Sequence, residues 1–172
     1  MHKGATAAAE AVGANLIYQG AAEWNVSLQM PILDAVIAKK PAAILIAPND
    51  KTQMIEPLRK ANDAGIAVIC VDTFIGDGVF QKGSGDVDFP ISYVASDNVL
   101  GGRMAARALA KAIGGKGKVY VSNVKPGVST TDQREQGFKE EMEADFKDVQ
   151  VIETQFNDDD ANKAAAQFQA VL

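Results

Sequence analysis

Residues 43–71 read AILIAPNDKTQMIEPLRKANDAGIAVICV, and the succession of patterns in this stretch decides the fold. Ala43-Ile44-Leu45-Ile46-Ala47 is a continuous apolar run, as expected of a strand covered on both faces. Pro48-Asn49-Asp50 breaks it. Asp50 or Asn49 is placed to start a helix that carries Ile55, Leu58, Arg59 and Ala61 and stops at Gly65. Ile66 to Val71 is a second buried strand. Two strands joined by one helix make a βαβ unit, the crossover that parallel pairing requires.

The alternation continues in both directions. Residues 3–13 are Ala-rich and helix-forming, closed by Gly13. Leu16-Ile17-Tyr18 is a strand candidate. From Val26 to Lys39, Leu28, Ile32, Leu33, Val36 and Ile37 fall at helical spacing, with Pro31 in the first turns, where it is best tolerated. Downstream, Gly76-Asp77-Gly78, Gly83-Ser84-Gly85 and Pro90 mark a long loop over 75–90. Ile91 to Ala95 is a short strand. Asp97 caps a helix running to about Ile113, and Gly114-Gly115 closes it. Lys118 to Ser122 is a strand. Residues 131–146 form an amphipathic helix through Phe138, Met142 and Phe146. Val149 to Ile152 is a strand, and Asp160 opens a last helix.

The expected fold class is α/β, two lobes of doubly wound parallel sheet with helices on both faces. Two similar halves divide near Ser96, which gives a first lobe over 1–96 and the beginning of a second over 97–172. The chain opens on a helix with no strand before it and stops at a helix with no strand after it. Both lobes are therefore expected to be incomplete.

Composition narrows the function. The 172 residues are 47% hydrophobic and 23% charged, ordinary for a globular protein. Mean hydropathy is −0.04, and no apolar run approaches the roughly 20 residues that span a bilayer. The net charge is −5 with Lys and Arg scattered, so nucleic acid is not an expected partner. The one cysteine, Cys70, lies in an apolar run and reads as a small buried hydrophobe. The one histidine is His2, in a frayed first turn, which leaves Cys/His or Ser/His catalysis little support. No phosphate-binding glycine loop is present. No enzymatic activity, no cofactor and no metal are expected. Met1-His2-Lys3-Gly4 runs straight into the Ala-rich segment without a signal peptide, which taken literally means cytoplasm.

Ligands of open α/β sheets sit at the carboxyl ends of the strands. That rule nominates residues 20–27, 47–50, 72–75, 122–132 and 156–160.

Three segments then become recognisable. Pro48-Asn49-Asp50, followed by Ile55 to Ile69 and Val71-Asp72, resembles the signature of ribose-binding-type solute-binding proteins. Ala95-Ser96-Asp97-Asn98-Val99-Leu100-Gly101-Gly102 is similar to the segment where that family's chain crosses between lobes. Ser129-Thr130-Thr131-Asp132-Gln133-Arg134-Glu135-Gln136-Gly137-Phe138 resembles its second-lobe ligand loop and the following helix. The resemblance implies a periplasmic receptor of an ABC importer. It would close by a hinge near Ser96-Asp97 on a sugar or polyol and be read by a membrane permease. It also implies an export signal, a first strand and a long continuation.

Sugar hydroxyls both donate and accept, so a site for them needs carboxylates, Arg forks and aromatic faces. Asp72 matches the family's sugar-binding Asp, with a loop-closing Asp as the plain alternative. Thr73 stands where ribose binders have Arg, which argues against ribose itself. Phe74 is placed to contact the ligand. Arg134 matches the family's second-lobe Arg, and a cation in a helix's first turn is unfavourable without a function. Asp132 either caps that helix or orients Arg134 or the ligand. Asp159 falls where ribose binders place a stacking Phe, which suggests a more polar ligand. Asp158-Asp159-Asp160 could suggest Ca²⁺, yet capping of the last helix accounts for it more simply. Trp24 is either a stacking platform at the cleft edge or packing under a loop. Gly101-Gly102 implies close helix–strand packing next to the crossover. The alternative function is the effector-binding half of a sugar-responsive repressor. Exposed sheet edges make self-association an expectation.

Overall fold

From residue 43 onward, strands and helices follow the order the patterns require. The computed structural model describes residues 1–81, 85 and 87–171. In chain order these form α1 (His2–Val12), α2 (Val26–Ala38), β1 (Ala43–Ile46), α3 (Ile55–Asp63), β2 (Ala67–Val71), β3 (Ser92–Val94), α4 (Asn98–Ala112), β4 (Gly117–Val119), β5 (Ser122–Asn123), α5 (Ser129–Asp145), β6 (Val149–Val151), β7 (Gln155–Phe156) and α6 (Ala161–Val171). All pairings are parallel: β1-β2-β3 in one sheet, β4 with β6, and β5 with β7. Gly83 and Ser84, read as turn residues, and Leu172 lie outside the described residues. Among the described residues no helix is long and apolar enough to cross a membrane.

Short polar side chains set the helix starts. Asn25 Oδ1 accepts from Ser27 N at 2.8 Å, Asp97 Oδ1 from Leu100 N at 2.9 Å, and Asp160 Oδ1 from Lys163 N at 2.8 Å. Asp50 instead accepts from Thr52 N and Gln53 N, and so caps a turn that delays α3 to Ile55.

Two apolar clusters follow from the packing. The first joins Leu33 of α2, Ile44 and Ile46 of β1, Leu58 and Ala61 of α3, and Val68 and Cys70 of β2. The long loop returns to it, burying Phe74, Ile75, Phe80 and Val87. The second joins Ala106 and Ala110 of α4, Val119, Phe138 and Met142 of α5, and Val149.

Three expectations about strands need correction. Residues 16–18 are not a strand: no described strand pairs with them, and Ile17 and Tyr18 are exposed. A strand without a ladder partner leaves its N–H and C=O groups to water. The apolar run of β1 is buried on one face only, since Ile44 and Ile46 are covered while Leu45 is 61% exposed. The strand expected over 118–122 is split. Val119 pairs with Val151 but Ser122 with Gln155, so the partner strand carries one extra residue and the ladder is interrupted by a bulge. β7, on the far side of that bulge, was not anticipated.

The glycine pair has a different cause from the expected one. Gly101 faces open space. A Cβ on Gly102 would lie 2.0 Å from the carbonyl oxygen of Arg134, and one on Gly137 would lie 2.0 Å from that of Val99. The contact is therefore helix on helix, α4 against α5, at backbone distance. Ion pairs from Arg103 to Glu140 and from Arg107 to Glu141 extend it along the two helices. Gly102→Ala should destabilise the chain by about 2 kcal/mol or more, because neither backbone can yield cheaply. Gly101→Ala, one residue away, should stabilise it by up to about 1 kcal/mol through helix propensity alone. Chemical denaturation of the two variants checks the contrast.

Candidate functional site

Asp72 ends β2 in an unusual conformation. Its φ is 69°, and the Thr73 N–H donates across it to the Val71 carbonyl at 2.9 Å. This is a γ-turn of the rare positive-φ kind, strained by about 1–3 kcal/mol. The surroundings hold it: Asp72 N donates to Val94 O at 2.9 Å, and Tyr93 Oη donates to the Asp72 carbonyl at 2.9 Å. The Asp72 side chain is left exposed. Thr73 is fully buried and donates its hydroxyl to the Pro48 carbonyl at 2.8 Å, tying the end of β2 to the end of β1. Phe74 is 7% exposed, stands edge-on to Tyr93 at 5.3 Å between centroids, and donates its N–H to Ser129 Oγ at 3.0 Å.

Arg134 is exposed and gives its Nε–H to Asn98 Oδ1 at 2.9 Å, and among the described residues neither Nη group has an acceptor. α5 begins at Ser129, earlier than the sequence pattern indicates, so Arg134 sits in its second turn. The argument from an unfavourable macrodipole therefore loses most of its force. Asp132 does not cap α5. Its Oδ2 accepts from Lys51 Nζ at 3.1 Å and from Gly127 N at 3.2 Å. Asp159 is exposed at φ 63°, its N–H held by Asn157 Oδ1. Asp158 pairs with Lys163 and Asp160 caps α6. No group of three or more potential metal ligands occurs among the described residues.

The strand-end loops meet one another. Lys51 N donates to Gly127 O at 3.1 Å, and Lys125 Nζ to the Trp24 carbonyl at 3.1 Å. Asn157 and Asp158 donate their N–H groups to Asn123 O and Val124 O. All five nominated segments are thus joined, or reach a residue directly beside them. Trp24 is half-buried, and its indole N–H is buried without a partner among the described residues. A cavity of about 290 Å³ adjoins them, lined by Pro126, Asp132, Glu135, Gln136, Lys139 and Phe156. A larger one of about 540 Å³, along Met142, Lys147 and Val151, holds none of the nominated residues. Size therefore does not mark the site.

Electrostatics follow from these bonds. Burial and the neighbouring Asp72 charge push the Tyr93 phenol upward, while the Asn98 side chain pulls the other way. Burial alone would raise the Asp50 carboxyl, but the N–H groups of Gln53 and Thr52 outweigh it and hold it low. Glu135 behaves alike: hydrogen bonds from Lys139, Thr154 and Asn123 overcome its burial.

Sequence reasoning gave no role to Lys51, Tyr93 or Asn98, while Lys125 and Ser129 lie within the nominated segment 122–132 without having been singled out. Lys51 and Asn98 each directly follow a residue already singled out, Asp50 and Asp97. Nothing in the local pattern separates Tyr93 from an ordinary strand aromatic.

A model of the periplasmic binding protein domain matches residues 1–172. The D-ribose/D-allose-binding protein of Pseudomonas aeruginosa is 34% identical over 125 residues, 71% of this chain and 37% of that protein. An ABC transporter solute-binding protein of Agrobacterium vitis, solved with α-D-tagatopyranose bound, is 70% identical. It superposes with a TM-score of 0.96 over 99% of this chain and 57% of its own. A carbohydrate transporter solute-binding protein of Agrobacterium radiobacter, solved with D-arabinose, is 27% identical, with a TM-score of 0.86 over 98% of this chain and 56% of its own. The chain spans little more than a third of that curated relative.

Glu135 gives a pH-dependent test of how this region is held. Folding lowers its pKa, so the native state binds fewer protons than the unfolded chain in the acid range, and this stabilisation is lost as pH falls. Glu135→Gln should lower stability at pH 7 by about 1–3 kcal/mol. The gap to the parent chain should narrow below the ordinary glutamate value of about 4.3. Urea melts across pH 3–7 measure it, and a gap unchanged at low pH would mean that the carboxylate charge plays no part.

Proposed function

The chain belongs to the periplasmic binding protein family, and from that premise we propose that it carries the ligand site of an ABC-importer receptor for a sugar or polyol. The observation that carries the reading is the pairing of two exposed groups of opposite character. The Asp72 carboxylate is presented on a strained turn, and the Arg134 guanidinium is anchored at Nε with its fork free. A carboxylate accepts from sugar hydroxyls and a guanidinium donates to them. Asp132 and Asp159 supply further acceptors. Thr73 and Phe74, both buried, directly follow Asp72 and complete the proposed set.

On this reading residues 1–96 are one lobe and 97–172 belong to the other, hinged at Ser96-Asp97. Only a ligand touching both lobes favours the closed form. The protein works without catalysis in the periplasm, and its closed shape is what a permease reads. The outer edges of β1 and β3 carry no ladder partner among the described residues, and we propose them as the place where two copies would associate.

Thermal melts with D-tagatose, D-arabinose, D-allose and D-ribose test the function. D-tagatose leads the panel because the 70%-identical relative was solved with it. Ribose should be weakest, since Thr73 replaces an Arg. At 100 times Kd, binding should raise the midpoint by about 5–10 °C. Asp72→Ala and Arg134→Ala should each remove most of that rise. Midpoints unmoved by any sugar would sink the reading. A rise that survives both substitutions would relocate the site.

A further inference from the structure

The crossover between β3 and α4 touches both groups of the proposed site. Tyr93 Oη donates to the carbonyl of Asp72, the residue at the centre of the strained turn, and the Tyr93 ring stands edge-on to Phe74. Asn98, 3% exposed, accepts from Arg134 Nε at 2.9 Å and donates from Nδ2 to the Ser96 carbonyl at 3.1 Å. Only one orientation of the amide satisfies both partners, so the acceptor is fixed toward Arg134. Helix capping does not account for Asn98, because Asp97 already fills that role.

We propose that Tyr93 and Asn98 are positioning residues that aim the Asp72 carboxylate and the Arg134 guanidinium at one ligand. The inference rests on the ligand reading above. An unanchored Arg explores many rotamers, which a ligand must order on binding; Asn98 removes part of that freedom beforehand. Tyr93 does the same for a turn that would otherwise relax toward negative φ.

The test uses calorimetric titration of D-tagatose together with the ¹⁵N resonance of the Arg134 Nε–H. Asn98→Leu should weaken binding about tenfold or more and abolish the slowly exchanging Nε–H signal. Asn98→Asp keeps the acceptor, so it should retain the signal and bind within about threefold of the parent. Tyr93→Phe should weaken binding severalfold and leave the Arg134 signal in place. Loss of affinity in Asn98→Leu with recovery in Asn98→Asp is the expected signature. Equal losses in both, or undiminished affinity in Tyr93→Phe, would overturn the positioning role. If Asn98→Leu does not fold, Asn98→Asp and Tyr93→Phe decide the matter. A parent chain that binds no sugar overturns the ligand reading itself, and is seen before any variant is made.

Discussion

The approach of α4 and α5 at backbone distance constrains the rest of the second half of the molecule. Gly102 lies against Arg134 O and Gly137 against Val99 O. Two helices in contact at such small residues cannot slide without driving a carbonyl into a Cα. Their register is therefore set by sterics, and the flanking Arg–Glu pairs follow it. That register brings the first turn of α4 beside the second turn of α5, and so brings Asn98 Oδ1 to Arg134 Nε. The placement of the Arg134 side chain is thus a consequence of backbone packing at Arg134 itself and at Gly137, three residues on.

The other arm of the site is fixed by sheet geometry. β2 and β3 run parallel with Cys70 opposite Tyr93 and Val71 opposite Val94. One residue further on, Asp72 still donates to Val94 O, and the chain then leaves the ladder through the γ-turn. The Tyr93 side chain lies on the same face as Cys70, which puts its hydroxyl under the Asp72 carbonyl. A non-glycine residue at positive φ persists only where its neighbours over-determine it. Here a ladder bond, a phenol and the buried Thr73–Pro48 bond do so.

Much of this was legible in the sequence and some of it could not be. The starts of α4 and α6 were legible because Asp97 and Asp160 act locally on N–H groups three residues away. The βαβ order was legible because apolar runs and helical spacing differ in period. The bulge between β4 and β5 was not, since it arises from the partner strand's having one residue more, a relation between segments distant in the chain. Gly102 was noticed for the right reason, a close approach, but assigned the wrong neighbour, because composition does not say which backbone arrives. Strand ends named loops that do meet in space, while Lys51, Tyr93 and Asn98 act through spatial neighbours that periodicity does not encode. Asp132 was left open between capping and orienting, and it bonds to Lys51, a partner 81 positions away.

The contacts between the two halves are instructive in their strength. Lys51 and Asp132 form a partly exposed ion pair, with side chains 38% and 28% accessible, a kind worth about 0–1 kcal/mol. The remaining bridges, from Lys51 N, Lys125 Nζ and Phe74 N, are single hydrogen bonds, each contributing about 0.5–1.5 kcal/mol net. Against them stands the loss of freedom on bringing two bodies together. Under the proposed hinge, such contacts leave open and closed forms close in free energy. In that regime a ligand of modest differential affinity decides the population. A tighter interface would close the cleft without a ligand, and a weaker one would require the ligand to supply the whole of the closing energy. The strained Asp72 turn and the anchored Arg134 work in the same direction. On the proposed reading both keep part of the ordering out of the binding step, so that the ligand's contacts would go to closing the cleft rather than to shaping it.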